Sequence, residues 1–326
     1  MINRWKLTCK IWRKYLNNSE LDEKSLKKLK TFAACASISV SVALSLIKAG
    51  AAIITGSLSV LSSMVDSLTD VISSSISLVA VKFANKPLTE HHRYGYGKAE
   101  SVSALIQSAF IAGSGGFILY DGICRFIDPT PIKQTAVGLW IMIISIILTV
   151  ALITFQAAVV KKTNSQAIEA DSAHYTVDLL TNGAIIASLL VVHYLNWQWF
   201  DSLTAVLISA YLLWNAGHIA LKALEEITDH EVDEEIKEKI IALVHEVPEI
   251  KGYHDFRTRV SGLRMFIEIH LELDGNLTLS QSHDISDKVE AKILAEFPLA
   301  QIIVHQDPYG LHEKRLDHEI SGHCEL

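Results

Sequence analysis

Two pairs of potential metal ligands, each spaced four residues apart, lie within apolar stretches of the sequence. Asp66 and Asp70 occur in SLSVLSSMVDSLTDVISSS, and His174 and Asp178 occur in IEADSAHYTVDLLTNG. Residues four apart share one face of a helix, so each pair presents two side chains in one direction. Three carboxylates and an imidazole between two helices would form a tetrahedral site for a divalent ion, zinc first. A lone aspartate can be explained by a nearby lysine or a helix cap. Two such pairs favour a functional site, because ionisable groups are costly at membrane depth.

The chemistry of such a site favours exchange of a metal ion for protons. All four ligands must be deprotonated to bind metal, so metal and protons compete for the same atoms. Histidine is the ligand type that titrates nearest physiological pH. The sequence therefore predicts a metal(II)/proton antiporter. Two alternatives from other classes are an intramembrane metal-dependent or aspartyl protease, which needs an open coordination position or an acid dyad, and a non-transporting metal sensor.

The charge of the chain changes sign near residue 223. The 326 residues are 50% hydrophobic with a mean hydropathy of +0.28, which is too apolar for one ordinary soluble domain. Residues 1–222 carry 19 Lys and Arg against 13 Asp and Glu, whereas residues 223–326 carry 10 against 23. The acidic part favours cations as partners and excludes nucleic acid, which requires a positive patch. The four cysteines are scattered, so no disulfide framework is predicted.

Six apolar segments are long enough to cross a membrane as helices. Lys and Arg are concentrated in the N-terminal 30 residues, which hold nine, and in alternate connections. This bias places both termini in the cytoplasm. Serine and threonine in the second helix either line a wet cavity or permit close helix packing. The predicted spans are about 31–54, 58–83, 100–127, 134–160, 173–195 and 199–222.

The domain organisation that follows has four parts. A cytoplasmic N-terminal segment covers residues 1–30, and a membrane all-α six-helix bundle covers 31–222. A cytoplasmic α+β domain covers 223–310, and a flexible tail covers 311–326. Within the α+β domain, LRMFIEIHLEL alternates strictly and predicts a half-buried strand, with YHDFRTRV as its hairpin partner. Further elements are predicted as helices over 231–247 and 280–297, the second capped by Ser280, and a strand over 300–307.

The histidines of the α+β domain form a second candidate set. His270 lies on the open face of its predicted strand, and His305 and Asp307 share one side of another strand. His283 lies near the start of the intervening helix, and His254 lies on the hairpin partner. The residues alone leave two interpretations open, a second metal site or ordinary surface histidines on an acidic domain.

Several motifs follow one another in an order that is typical of a single family. They are GSLSVLSSMVDSLTD, HRYGYGKAE, HxxxD at 174–178, HDFRTR, FIEIHLEL and VHQDP. Through these motifs, residues 30–310 resemble the cation diffusion facilitator family, in particular its bacterial ferrous-iron/zinc efflux branch. The resemblance implies a proton-coupled exporter of the bacterial inner membrane that works as a homodimer. It also implies a metallochaperone-like, ferredoxin-like cytoplasmic domain.

The resemblance assigns roles to residues by position. The resemblance implies that zinc or iron(II) is both the transported ion and a structural ion, with cadmium and manganese as further candidates. It implies no prosthetic group. Lys98 and Asp229 match a charge interlock at the hinge between membrane and cytoplasm. The transport site is matched by Asp66, Asp70, His174 and Asp178, and a binuclear cytoplasmic site that stabilises the dimer is matched by His254, His270, His283, His305 and Asp307.

The loop between the second and third helices departs from the family pattern. The family binds a metal there through an acidic residue and two histidines, and His92 matches the first histidine. Tyr96 stands at the place of the second histidine, and Thr89 replaces the acid. A phenol must lose its proton before it can bind zinc, which is unfavourable at neutral pH. We expect a weak or absent loop site, or one rebuilt around Glu90 and His91 beside His92.

Overall fold

The structure is a computed structural model, and it describes residues 23–55, 58–127, 136–195, 197, 199–311, 315 and 317. Within the helices, the side chains of residues 52, 55, 58–66, 136–139, 189, 192, 193, 195 and 201 also lie outside the described part. The chain divides into two compact units, one of Lys24–Ile227 and one built around Thr228–Leu326. Each unit is described by itself.

The first unit contains the six predicted long helices. Each has 27 to 33 residues, and at about 1.5 Å per residue each exceeds the ~30 Å of a bilayer core. The helices are α1 (Glu23–Thr55), α2 (Leu58–Ala84), α3 (Ala99–Ile127), α4 (Ala136–Thr163), α5 (Gln166–Leu195) and α6 (Trp199–Ile227).

Five of these helices are long and apolar enough to cross a membrane, by length and composition. The described residues of α5, which include Glu169, Asp171 and Asp178 but not all of the last seven positions, contain no such stretch. Helix α5 begins at Gln166, seven residues before the predicted span at 173. The connection from α4 is only Asn164 and Ser165, and Asn164 adopts a left-handed φ of 47°, a conformation that asparagine tolerates better than most residues.

Close helix packing explains several small residues in this unit. Ser73 and Ser77 of α2 are buried. Ser73 donates to the Gln107 side chain at 3.3 Å and Ser77 to the Ala167 carbonyl at 3.3 Å, which agrees with the packing interpretation of the serine-rich helix. Between α3 and α6, a Cβ added at Gly122 would lie 2.9 Å from the Ala205 Cβ. Glycine therefore permits this approach.

The second unit is a three-stranded sheet with two helices. Its elements are α7 (Glu234–His245), β1 (Gly252–Ser261), β2 (Arg264–Leu273), α8 (Leu279–Glu296) and β3 (Ala300–Pro308). The sheet order is β1-β2-β3, with β1 antiparallel and β3 parallel to β2. The predicted hairpin is present, and Gly262 in its turn has a φ of +63°. The fold class of a helical membrane unit plus a small α+β domain is confirmed.

The predicted alternation of β2 describes only one of its faces correctly. Met265, Ile267, Ile269 and Leu271 are buried in the core with residues of both helices. On the opposite face, Phe266 is 5% and Glu272 8% exposed, so this face is not open to solvent along its whole length. Arg259 lies over the Phe266 ring, and Arg315 contacts Glu272. Helix α8 is capped by Thr278, not by Ser280, because Thr278 and Gln281 form a reciprocal capping box.

Candidate metal centres

Helices α2 and α5 bring three of the four predicted transport ligands together. The His174 Nε2 lies 3.1 Å from the Asp70 Oδ1. One ligand atom each of Asp70, His174 and Asp178 lies within 4.8 Å of the others. Asp70 is 6% and His174 7% exposed. Asp66 lies on α2 one turn before Asp70, but its side chain is outside the described residues.

A second buried carboxylate lies one turn before His174 on α5, and sequence reasoning missed it. Asp171 is fully buried. Its oxygens accept from Ser37 at 2.5 Å, from Gln156 at 2.6 Å and from Ser74 at 3.2 Å. The sequence predicts the fifth span from residue 173, two residues after Asp171. Its partners come from three other helices, and no local pattern in the sequence indicates them.

Ion pairs surround the first turn of α5. Lys30 of α1 donates to Glu100 of α3 at 2.7 Å, and both side chains are almost fully buried. Ser165, just before α5, also donates to Glu100. Lys222 of α6 pairs with Glu169 at 2.5 Å. A buried ion pair such as Lys30–Glu100 is costly unless its partners satisfy one another, so this contact holds α1 against α3 at this end.

In the α+β unit, three histidines lie in a row across the sheet. The register pairs His254 of β1 with His270 of β2, and His270 with His305 of β3. Asp307 follows His305 by two residues and therefore points to the same side. Its Oδ2 lies 2.9 Å from the His270 Nδ1 and 3.4 Å from the His254 Nε2, and its Oδ1 lies 3.1 Å from the His305 Nε2.

This geometry suits a carboxylate that bridges two ions. Asp307 is 6% exposed and contacts all three imidazoles through its two oxygens, as a shared ligand would. Ligand atoms of His270, His305 and Asp307 lie within 4.8 Å of one another, and so do those of His254, Asp255 and His270. His283 lies outside both groups. Its side chain is 67% exposed, and its Nε2 lies 3.7 Å from Asp287.

Asp255 is a candidate ligand that sequence reasoning did not find. It adopts a left-handed φ of 47°, where the register of β1 shifts between His254 and Arg257. A bulge turns a side chain away from strict alternation. For this reason a period-two pattern does not predict that Asp255 belongs with His254 and His270.

Two residues of the predicted tail contact the sheet beside this cluster. Arg315 donates to Glu272 at 2.5 Å, and the same carboxylate lies 3.3 Å from the His254 Nδ1. The Asp317 carboxylate accepts from the Asp255 amide at 2.9 Å, and the Asp317 amide donates to the Asp255 carboxylate at 3.0 Å.

The loop between α2 and α3 is held by hydrogen bonds between its own side chains. The Tyr96 hydroxyl lies 3.1 Å from the His92 Nδ1 and 3.3 Å from the Thr89 hydroxyl. The His92 and Tyr96 rings stack with their centroids 4.4 Å apart. Glu90 and His91 are exposed, and neither belongs to a metal-ligand group of the described residues.

The two residues of the predicted charge interlock each have a contact within their own unit. The Lys98 Nζ donates to the Ile227 carbonyl at 3.1 Å at the end of α6. The Asp229 carboxylate lies 3.4 Å from the Arg259 guanidinium. Asp229 also has a left-handed φ of 59°, a conformation that aspartate adopts more readily than most residues.

Comparison with known sequences identifies both units. The profile of the cation efflux transmembrane domain matches residues 34–228, and that of the cation efflux protein cytoplasmic domain matches residues 232–309. A cation-efflux pump FieF of Shewanella oneidensis is 40% identical over 273 residues, which cover 84% of this chain and 92% of that protein. A cation-efflux pump FieF of Klebsiella pneumoniae is 42% identical over 284 residues, covering 87% and 94%.

One solved structure adds a comparison for the C-terminal unit. The metal-bound C-terminal domain of the CzcD transporter from Thermotoga maritima is 25% identical to the matched part. The match covers 24% of this chain and 93% of that structure, with a TM-score of 0.24. Family profiles match both units, and relatives match along most of their length. The chain therefore belongs to the cation efflux family, also called the cation diffusion facilitators.

Proposed function

We propose that this chain is a proton-coupled efflux antiporter for divalent metal cations, with zinc and iron(II) as first candidates, in a bacterial inner membrane. The observation that carries the proposal is the group of buried Asp70, buried His174 and partly buried Asp178 between α2 and α5. The relatives that carry the name cation-efflux pump support the direction of transport. Asp66, one turn before Asp70, is the proposed fourth ligand.

The proposed mechanism follows from competition at these ligands. A metal ion entering from the cytoplasm displaces protons from the carboxylates and from His174. The bundle then opens the same site to the other side, where protons displace the ion. For this cycle α5 must cross the membrane as the sixth span, with its ionisable side chains facing the bundle interior. Both termini then lie in the cytoplasm.

The α+β unit supports a regulatory role for metal. We propose that Asp307 bridges two ions held by His254, His270 and His305, and that the loaded domain stabilises a homodimer. His283 is exposed and lies outside the group of its own chain, so it is available to a second copy.

Lys98 and Asp229 are proposed to join the two units at the hinge. The Thr89–Tyr96 loop is proposed to bind no metal.

The two alternatives are less well supported. A protease needs an open coordination position and a general base, whereas four protein ligands close the site, and the sequence contains no HExxH motif. Members of a cation efflux family are transporters, which argues against an enzyme. A non-transporting sensor would bind metal at the same residues, so only a measurement of flux separates it from a transporter.

The decisive experiment is metal flux in proteoliposomes under an imposed proton gradient. Zinc and iron(II) uptake should follow the gradient in the wild type and be lost in Asp70→Asn and in Asp178→Asn. Asp121→Asn is the matched control, because Asp121 is an α3 carboxylate paired with Arg125 outside the site. It should transport normally. Flux that ignores the proton gradient, or that survives Asp70→Asn, would rule out the proposal.

A further inference from the structure

Asp171 is a buried carboxylate that the proposed transport cycle does not use. It is 0% exposed and belongs to none of the metal-ligand groups of the described residues. A charged carboxylate removed from water is costly unless hydrogen bonds replace its hydration. The contacts around Asp171 therefore need an explanation.

Three donors from three helices supply those hydrogen bonds. Ser37 comes from α1, Ser74 from α2 and Gln156 from α4, at 2.5, 3.2 and 2.6 Å. All three are 0% exposed. An ionised carboxylate accepts on both oxygens and donates nothing, and this arrangement provides only donors. One side chain of α5 thus joins three other helices.

Tyr175 provides a second link between the same helices. Its hydroxyl lies 2.8 Å from the Ser74 hydroxyl and donates to it, because the Ser74 hydrogen is donated to Asp171. The Ser37 and Ser74 hydroxyl oxygens lie 2.9 Å apart, side by side at the carboxylate. Two side chains of α5, Asp171 and Tyr175, therefore hydrogen bond to α2, and both bonds involve the Ser74 hydroxyl.

These links lie one turn from the ligands on both helices. Ser74 follows Asp70 by four residues, and Asp171 precedes His174 by three. Residues three or four apart are neighbours on one helix face. The Ser74–Asp171 hydrogen bond therefore joins α2 and α5 one turn away from the Asp70–His174 contact. A rotation or slide that separated the ligands would also break this bond.

We propose that Asp171 is a positioning residue for the transport site, fixing α5 against α2 so that the ligand pairs of both helices face each other. Ser37 and Gln156 hold α1 and α4 to the same point. This inference rests on the proposed transport function, because it assigns Asp171 a task only if those ligands bind the cargo.

The test compares the apparent KM for zinc in proteoliposomes with the maximal rate. Changing residues that orient metal ligands typically lowers metal affinity by about 10- to 100-fold. Asp171→Asn should therefore raise KM by about that factor, with a smaller change in maximal rate. The double variant Asp171→Asn/Gln156→Glu restores a carboxylate–amide pair between α4 and α5, so it should recover part of the loss. Tyr175→Phe keeps the carboxylate and removes one neutral hydrogen bond. It should raise KM by about two- to tenfold.

A wild-type KM in both Asp171→Asn and Tyr175→Phe would overturn the inference. So would a lower maximal rate with unchanged KM and a lower melting temperature, because a purely structural role predicts that pattern. Asp70→Asn is measured in parallel. If it transports normally, the proposed function itself fails. If it is inactive while the Asp171 and Tyr175 variants keep the wild-type KM, only this inference fails.

Discussion

The imidazole of His174 lies 3.1 Å from the carboxylate of Asp70, although the two residues are 104 positions apart in sequence. This contact joins the two helices that carry the i,i+4 pairs. Both side chains are buried. A metal ion bound between them, as proposed, would replace this hydrogen bond and displace protons from the same atoms. Under that proposal, metal occupancy and protonation exclude each other at this contact.

Changing the only imidazole of the proposed transport site should alter which metal is carried. His174→Asp gives an all-oxygen ligand set, which suits harder ions such as manganese better than zinc. We expect the ratio of zinc to manganese flux in proteoliposomes to fall relative to wild type. His218→Asp on α6 is the control, because His218 contacts Trp214 and not the ligand group. An unchanged ratio in His174→Asp would contradict the ligand assignment.

Introducing a histidine into the α2–α3 loop should create metal affinity if, as proposed, the natural loop binds no metal. Tyr96→His places a second imidazole beside His92, where the phenol now lies 3.1 Å from its Nδ1. In a background with Asp70→Asn and Asp307→Asn, elemental analysis should find more bound zinc in Tyr96→His than in the parent. If the parent itself contains zinc, and its His92→Ala variant contains less, the natural loop binds metal and the expectation is wrong.

Removing Arg315 should destabilise the α+β unit. The Glu272 side chain is only 10% exposed, so losing its charged partner leaves a buried carboxylate poorly solvated and should cost about 1–3 kcal/mol. Amide hydrogen exchange of β2 in the full chain measures this in Arg315→Ala.

Arg257→Ala is the matched control for the Arg315 variant. Arg257 forms an ion pair with Glu268 in which the side chains are 52% and 35% exposed. Exposed pairs contribute at most about 1 kcal/mol. Equal effects of the two variants would mean that the tail contact adds no more than an ordinary surface pair.

The turn after β2 should make a pH-dependent contribution to stability. The backbone amide of Asn276, followed by the Lys251 ammonium, lowers the pKa of Asp274 below its ordinary 3.8. A lowered folded pKa means that the stabilisation is present above pH 3.8 and is lost as the pH falls through the folded value. Asp274→Asn should therefore lower the protection of this turn in hydrogen exchange at pH 6 and have no effect at the lowest pH. A loss of equal size at both pH values would exclude a charge effect.

The glycine contact between α3 and α6 should not tolerate an added methyl group. In Gly122→Ala the new Cβ would lie 2.9 Å from the Ala205 Cβ, and overpacking of this kind typically costs about 1–3 kcal/mol. Gly116→Ala adds the same atom where nothing lies within 4 Å. It should be neutral or stabilising by up to about 1 kcal/mol, because alanine favours helix. Melting temperatures in detergent compare the two variants, and a Gly122→Ala protein as stable as Gly116→Ala would contradict the packing argument.

The parts of the sites that sequence predicts are those with local spacing. Asp70, His174 and Asp178 follow from a period of four in apolar surroundings, and the row of His254, His270 and His305 follows from strand alternation once the strands are placed. The three histidines lie side by side because β1, β2 and β3 are neighbours in this order and register. Alternation within one strand predicts which face a side chain occupies, but not which strand lies next to it.

The parts that sequence does not predict depend on distant contacts. Ser37 and Asp171 are 134 residues apart, and the role of Asp171 appears only when α1 and α5 are packed together. Asp255 departs from alternation because of a bulge. Arg315 lies in a polar segment whose composition predicts a loose tail, and its contact depends on a buried glutamate on β2 that alternation places on an open face.

The Thr89–Tyr96 loop has a consequence for a cell that is short of metal. Its shape is maintained by a hydroxyl, an imidazole and a phenol that hydrogen bond to one another. If the loop binds no metal, as proposed, it withdraws no zinc from the cell and keeps its shape when zinc is scarce. Scarce ions then remain available to the enzymes that require them.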